Sequence, residues 1–160
     1  MRTVTVLCVG KCREGYVREF CAEYEKRLAA YCRLQTVELP AEKLPENPSG
    51  AQIAKGLERE GAQLLARIPK NAFVFALCIE GKMFSSEAFS QKLSALALDG
   101  KSDLVFVLGS SFGLSDAVKR RADCRLSISE MTFPHRLARV MLLEQLYRAF
   151  QIEAGGKYHK

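Results

Sequence analysis

Several residue types and patterns are scarce in this sequence. It contains no tryptophan, and aromatic residues make up only 9% of the chain, so a hydrophobic core must be built mainly from Leu, Val, Ile and Ala. No stretch approaches the ~20 apolar residues that span a bilayer. The short apolar start is interrupted by Arg2 and Gly10-Lys11 and lacks the features of a secretory signal. We therefore expect a cytoplasmic protein with no membrane partner.

Patterns typical of metal sites are also missing. The chain has six cysteines and two histidines, and no CxxC pair occurs among them, whereas structural zinc sites use four such ligands at short spacings. We expect no metal and instead buried free thiols in a reducing compartment. Cys8, Cys78 and Cys124 fall in strand-like runs and Cys21 on the apolar side of a helix. Cys12, in a predicted loop, is the thiol to test for reactivity.

The charge is basic but dispersed. Lys and Arg number 24 against 18 Asp and Glu, which gives a net charge of +6 and a pI near 9.1. Such an excess is compatible with a polyanionic partner. Because no run of five or more basic residues occurs, the pattern favours a folded basic surface over a disordered basic arm.

The hydrophobic pattern alternates between short apolar runs and longer stretches of helical spacing. Ser49 and Gln52 match a capping box at the start of one helix, and Ser115 can cap another. This alternation predicts an α/β fold with a parallel sheet covered by helices on both sides, in one domain over residues 1–160. The predicted strands are 3–9, 34–39, 73–79, 104–108 and 124–128, and the predicted helices are 16–31, 49–68, 85–98 and 115–122, with a last one from about 134.

Three predicted strands end in segments of unusual composition. They are Leu77–Lys82, Gly109–Gly113 and Ser127–His135. In open α/β sheets, ligands bind outside the carboxyl ends of the strands, so these segments predict a crevice if neighbouring strands present them together. The glycine spacing is neither a dinucleotide fingerprint nor a P-loop. The spacing therefore does not identify the ligand.

Catalytic patterns are poor. No serine or cysteine lies in a nucleophile-elbow context and no carboxylate pair stands out. His135 follows Pro134 at a predicted helix start, and His159 lies one residue before the final Lys160. An enzyme with this composition acts by positioning a reactive cofactor beside its substrate. Methyl transfer from a sulfonium suits that description, because the leaving group is already activated.

Several segments together resemble one family. Among them are Val9-Gly10-Lys11, Ile79–Met83, Phe106–Gly109, Gly113–Ser115, Met131–His135, Leu143–Phe150 and Tyr158–Lys160. Over essentially its full length the chain resembles the bacterial 23S rRNA (pseudouridine-N3)-methyltransferases, a minimal branch of the SPOUT superfamily.

This resemblance implies a SPOUT-type parallel sheet flanked by helices, with a C-terminal trefoil knot, which is a rare exception to normal topology. It also implies a homodimer and S-adenosyl-L-methionine as the cofactor. The residues that would hold the cofactor lie in the three strand-end segments already described: Leu77, Gly109, Ile128, Ser129, Glu130, Met131, Thr132 and Phe133.

The implied acceptor is N3 of a pseudouridine in 23S rRNA within the ribosome. Because this nitrogen carries a weakly acidic proton, a base with a pKa near neutrality would help. His159 is the candidate, with Tyr158 and either Lys160 or Arg139 placing the base or countering the developing charge. Two positions depart from the family pattern: relatives commonly have Gly-Gly at 109–110, where this chain has Ser110, and position 130 is often basic.

Three other hypotheses remain open from the sequence. The first is a non-enzymatic ribosome- or RNA-binding factor on the same fold, which would not bind S-adenosylmethionine. The second is an α/β module that binds another small molecule, in which the basic charge is incidental. The third is a methyltransferase acting on a different RNA, since RNA is recognised largely through shape.

Overall fold

The computed structural model describes residues 1–160. Strands and helices alternate, as the hydrophobic pattern predicts: β1 (Arg2–Val9), α1 (Gly15–Leu28), β2 (Cys32–Leu39), α2 (Gly50–Ala66), β3 (Phe73–Met83), α3 (Ser86–Leu98), β4 (Asp103–Leu108), α4 (Asp116–Arg121), β5 (Cys124–Ser127) and α5 (His135–Glu153).

All five strands form one parallel sheet in the order β2-β1-β4-β3-β5. The prediction of an α/β fold with a parallel sheet is therefore confirmed. Strands β4, β3 and β5 are consecutive neighbours, so their carboxyl ends lie side by side at one edge of the sheet. This arrangement brings together the three segments that the sequence singled out.

Helix starts follow the predicted capping residues. Ser49 accepts a hydrogen bond from the Gln52 amide at 3.2 Å, and the Gln52 side chain accepts one from the Ser49 amide at 2.8 Å, which completes the capping box. Ser85 and Ser115 cap α3 and α4 through one hydrogen bond each: their hydroxyls accept from the amides of Ala88 at 3.0 Å and Val118 at 3.3 Å. Each such cap contributes about 1 kcal/mol by satisfying an amide that the helix leaves free.

The core lies on both faces of the sheet. Helices α1, α3 and α5 cover one face and α2 and α4 cover the other. On the first face the rings of Phe75 and Phe106, from adjacent strands, stack at 4.6 Å and are fully buried. Because both faces are covered, the central strands are continuously apolar.

Strand β3 is longer than predicted. It runs to Met83, with a break in the pairing with β5 between Leu77 and Lys82. The residues from Glu80 onward are polar or exposed, so hydrophobic pattern could not reveal the extension. At Gly81 an added Cβ would lie 2.7 Å from the Arg125 carbonyl carbon, so the close approach of β3 to β5 requires glycine there.

No disulfide forms among the cysteines, so the prediction of free thiols is confirmed. Burial raises the pKa of the Cys8 thiol to about 12 and the pKa of the Cys21 thiol to about 11. Cys78 and Cys124 are only partly buried, so the prediction of buried thiols was wrong for these two. Each lies beside the β3–β5 irregularity or at the sheet edge, where packing is incomplete.

None of the helices is both long and apolar enough to be a candidate membrane span. Histidine, cysteine, aspartate and glutamate side chains do not gather anywhere into a group of three or more that could hold a metal ion.

Candidate cofactor cleft

A cleft of about 730 Å³ opens at the carboxyl ends of β4, β3 and β5. Most of its walls come from three segments: 77–80 at the break in β3, 108–114 from the end of β4 onward, and 126–135 from the end of β5 to the start of α5, with Lys119 and Ala138 completing them. The volume falls in the range typical of small-molecule sites. The crevice expected from the strand-end segments is therefore present as a single space.

The residues expected to hold a cofactor line this cleft with one exception. Leu77, Gly109 and the segment from Ile128 to Phe133 contribute to its walls, but Glu130 does not. Glu130 is exposed. Its carboxylate therefore lies at the surface and is not part of the cleft walls.

The loop after β4 turns back on itself at Gly109. A Cβ at this position would lie 2.1 Å from the Gly113 carbonyl oxygen, and Gly113 has a φ of 90°, in the left-handed region that favours glycine. The Gly113 amide donates to the Ser110 carbonyl at 2.9 Å. The backbone does not require glycine at position 110, because Ser110, like every other non-glycine residue, has no positive φ.

The segment after β5 is held by its own side chains. The Ser127 hydroxyl donates to the Ser129 carbonyl at 3.0 Å, and the Met131 amide donates to the Ser129 hydroxyl at 3.0 Å. These bonds order a chain that forms neither helix nor strand. They leave Met131 74% exposed at the rim.

The walls combine apolar side chains with backbone. Leu77, Leu108, Leu126 and Ile128 provide apolar surface, and the close turn at Gly109 brings main chain to the cleft. A flat apolar ring system with hydrogen-bonding edges fits such walls, and so does a ligand that carries both an aromatic base and a polar chain. The residues present therefore fit a nucleoside-type cofactor.

Charged groups occupy one side of the cleft. Lys119 donates to the Glu80 carboxylate at 2.5 Å, and this hydrogen bond holds the pKa of the Glu80 carboxyl below its usual value. His135 lines the cleft at the start of α5 and its ring makes no hydrogen bond to the protein. Burial, together with the charges of Arg136 and Arg139, lowers the pKa of His135, which favours the neutral imidazole.

Arg139 does not line the cleft. Its side chain is 6% exposed and donates to the Glu38 carboxylate at 3.0 Å and to the Gly10 carbonyl at 3.4 Å. Burial alone would raise the pKa of Glu38, but hydrogen bonds from the Cys12 amide and from Arg139 lower it overall. In this chain Arg139 therefore ties α5 to the ends of β1 and β2.

The C-terminal tail also lies outside the cleft of its own chain. The Tyr158 hydroxyl donates to the Glu144 carboxylate at 3.1 Å and lies 3.3 Å from the Tyr24 hydroxyl. Burial and these two hydrogen bonds raise the pKa of Tyr158.

Both ring nitrogens of His159 are engaged. Arg148 lies 3.1 Å from Nδ1 and Glu87 lies 2.7 Å from Nε2. Because a guanidinium can only donate, Nδ1 accepts from Arg148 and Nε2 carries the proton that is donated to Glu87. His159 has no free lone pair in this position, so it could act as a base only after leaving these partners.

Comparison with known proteins places this geometry in a family. A family model described as "Predicted SPOUT methyltransferase" matches residues 1–159. The chain belongs to the SPOUT methyltransferase family. Membership in this family implies a methyl-donor cofactor.

Curated SPOUT methyltransferase relatives match almost the whole chain. The protein from Leuconostoc mesenteroides is 49% identical over 98% of this chain and 99% of its own length. Relatives from Clostridium novyi and Pelotomaculum thermopropionicum are 48% and 50% identical over 98% of this chain. All three are named "Ribosomal RNA large subunit methyltransferase H".

Solved structures support the fold at lower identity. A probable methylase family protein from Haemophilus influenzae matches 98% of this chain and 70% of its own, with a TM-score of 0.55 at 12% identity. A probable methyltransferase from Bordetella pertussis matches 92% of this chain and 95% of its own, with a TM-score of 0.55 at 16% identity.

Several cleft residues of this SPOUT methyltransferase were not singled out from the sequence, and Lys119 lies outside the three predicted segments. Glu80 and Lys119 come from different elements, and no local pattern links them before the fold is known. His135 lies in the Ser127–His135 segment predicted to form the crevice and lines the cleft, but the sequence suggested no role for its side chain beyond the helix start. Phe112, 47% exposed at the cleft wall, lies in the predicted Gly109–Gly113 segment but was not singled out within it.

Proposed function

We propose that this chain is an S-adenosylmethionine-dependent methyltransferase that methylates N3 of a pseudouridine in 23S rRNA within the ribosome, and so acts in the cytoplasm. The single observation that carries the proposal is the cleft at the ends of β4, β3 and β5, whose walls contain seven of the eight expected cofactor positions, all but Glu130. Near-full-length relatives named as large-subunit rRNA methyltransferases support it.

In this proposal the cofactor is held mainly by backbone. The close turn at Gly109, the Leu77 end of β3 and the segment 128–133 would surround S-adenosylmethionine, with Glu130 contributing through its main chain if at all. When bound, the cofactor supplies an activated methyl group on a sulfonium. The protein then contributes orientation and exclusion of water, which can account for a large part of a rate enhancement.

The remaining task is to remove the N3 proton. We assign this to His159, with Tyr158 and Arg139 as its companions in the catalytic set. Arg139 holds the base of α5 rather than facing the cleft, so its contribution would be to position that helix. Since the tail does not line the cleft of its own chain, His159 would act on the cleft of a partner subunit.

A surface suited to such a partner lies next to the cleft. Tyr16 and Phe20 are 67% and 58% exposed on one side of α1, and Leu137 is 43% exposed on the first turn of α5. An ion pair between Glu14 and Arg136 joins these two helix starts. Exposed aromatic and aliphatic side chains grouped in this way are typical of interfaces, which supports a homodimer.

The proposal includes a trefoil knot within a single domain of residues 1–160. Its support is the path of the chain after β5: residues 128–135 share the cleft with the loops 77–80 and 108–114, and α5 then packs against both α1 and α3. The family model that matches residues 1–159 as one unit supports the single domain.

The first experiment is methyl transfer from labelled S-adenosylmethionine to ribosomes lacking the native modification, followed by mass-spectrometric mapping. One N3-methylpseudouridine in 23S rRNA is the expected result. Cofactor binding with methylation elsewhere would reassign the acceptor to another RNA. Absence of cofactor binding would favour a ribosome-binding factor, or, with another nucleotide bound and no affinity for ribosomes, a small-molecule module.

Subunit mixing tests whether the tail serves the partner. One variant lacks residues 158–160 and the other carries Gly109→Ala, so that each is inactive alone. If the tail acts on the partner's cleft, mixed dimers contain one complete site and activity returns. If the tail acts on its own cleft, no mixed dimer contains a complete site and the mixture stays inactive.

A further inference from the structure

A second, smaller cavity of about 120 Å³ lies behind the loop that follows β4. It shares Ser110, Ser111 and Phe112 with the cofactor cleft, so these residues form a wall between the two spaces. The other side of the cavity is formed by α2 and by the segment 41–44. The wall can therefore be influenced by residues that never touch the cleft.

The side chain that faces this wall from α2 is a buried carboxylate. Glu60 is 6% exposed. One of its oxygens accepts from the Ser110 hydroxyl at 3.2 Å and the other accepts from the Glu42 amide at 2.9 Å. Burying a carboxylate is costly unless donors satisfy it. Glu60 meets this requirement by joining the cleft loop to the segment after β2.

A second contact draws α2 onto the same loop. At Gly61 an added Cβ would lie 2.3 Å from the Ser115 hydroxyl, which caps α4. Helix α2 therefore contacts both ends of the segment 109–115: Glu60 binds Ser110 near its start, and Gly61 packs against Ser115 at its end. A loop supported at two points loses less conformational freedom when it binds a ligand.

We infer that Glu60 is a positioning residue for the methyl donor: it fixes the Gly109–Gly113 loop through the Ser110 hydroxyl and links that loop to the segment 41–44. The inference rests on the proposed function for the identity of the ligand. It makes Ser110 a functional part of this chain, because a glycine at position 110 would offer no side chain to Glu60.

The test uses Ser110→Ala, Glu60→Ala and the double variant, with Glu60→Gln as the conservative replacement. Glu58→Gln and Ser102→Ala are the matched controls. Glu58 lies on α2 with Glu60, and Ser102 directly precedes β4, the strand that Ser110 follows. Both control residues are exposed, and their side chains form no hydrogen bond. Calorimetry measures the Kd for S-adenosylmethionine. Hydrogen exchange of the peptide covering 109–114, without ligand, measures the order of the loop.

Loss of a hydrogen bond to a carboxylate should weaken cofactor binding by about threefold to tenfold in Ser110→Ala. Amide exchange in the loop should be faster, and the loss of activity should appear mainly as a higher KM for the cofactor. Glu60→Ala should weaken cofactor binding to a similar extent, and the double variant should bind no more weakly than Glu60→Ala alone. Glu60→Gln should bind the cofactor more tightly than Glu60→Ala. A purely structural role would lower Tm and leave the Kd of the folded protein unchanged.

Unchanged loop exchange and unchanged Kd in Ser110→Ala would overturn the inference and leave the proposed function intact. Failure of the wild-type protein to bind S-adenosylmethionine would instead remove the proposed function. Loop exchange, which needs no ligand, would still decide whether Glu60 orders the loop. Because Ser110 lies in a partly exposed loop, its alanine variant keeps the test available even if Glu60→Ala does not fold.

Discussion

Adding a single methyl group at Gly109 should weaken cofactor binding while the protein still folds. In Gly109→Ala, the new Cβ would lie 2.1 Å from the Gly113 oxygen and 2.6 Å from its carbonyl carbon, whereas ordinary contact begins at 3.4 Å. Both atoms are backbone, so no side-chain rotation can relieve the overlap. The carbonyl has to retreat by about 1 Å, and a displacement of that size at a reaction site can cost about 100-fold in rate.

The stability cost should be moderate. Overpacking a tight site costs about 1–3 kcal/mol, and each kcal/mol lowers Tm by about 2–4 °C in a domain of this size. The variant should therefore fold. We expect the Kd for S-adenosylmethionine to rise by at least about tenfold, since a shifted loop loses its contacts to the ligand, and kcat/KM for ribosome methylation to fall by about 100-fold.

The assays are calorimetric titration of the cofactor, methyl transfer to unmodified ribosomes, and thermal denaturation. Gly50→Ala is the matched control, because a Cβ there meets nothing within 4 Å. A Gly109→Ala variant that binds the cofactor and methylates like the wild type would show that the turn after β4 does not contact the ligand. The assignment of Gly109 to the cofactor site would then be wrong.

Three further outcomes are expected. Glu38→Gln should lower the free energy of unfolding by about 1 kcal/mol at neutral pH, a modest figure because the carboxylate is partly exposed. Since the pKa of Glu38 is lowered in the folded state, its stabilising contribution is present above the ordinary value of 4.5 and is lost as the pH falls below it. In thermal melts at decreasing pH, the Tm of the variant should therefore fall less steeply than that of the wild type. Phe20→Glu should place a charge in the proposed dimer surface and yield a species near 17.9 kDa in sedimentation, whereas a retained dimer would exclude this surface. His159→Ala should lower kcat by about 100-fold or more with little change in the Kd for the cofactor, whereas His135→Ala should mainly raise that Kd. If His135→Ala instead lowers kcat and His159→Ala does not, the proton acceptor is His135.

Most of the fold could be predicted because each element has a local signature. The apolar runs at Phe73 and Leu104 mark buried parallel strands, and the pairing of Ser49 with Gln52 marks a helix start. Element order alone did not give strand order, since the insertion of β4 between β1 and β3 depends on packing between distant residues. The continuation of β3 past Ile79 also depended on pairing with β5 and not on its own composition.

The cleft was predictable in outline for a related reason. Strand ends that carry Gly109 or the Ser127–His135 segment can be recognised locally, and a parallel sheet places such ends on one edge. The positions of the charged groups were not predictable. The ion pair between Arg139 and Glu38 joins residues 101 positions apart in the chain, and the partners of His159 on α3 and α5 become neighbours only when those helices pack.

The strand order also bears on how the chain assembles during synthesis. Two of the four sheet pairs, β1 with β2 and β3 with β4, join strands that are consecutive in the chain, and β3 pairs only with β4 and β5, both of which are made after it. A nascent chain that has reached α3 therefore holds a two-stranded β1–β2 unit and a separate apolar β3 without a neighbour. The sheet becomes continuous only when β4 enters between them, so assembly depends on contacts between distant residues and should be slow for a chain of this length. A ribosome that stalls before residue 103 would leave an unpaired apolar strand open to association with other chains.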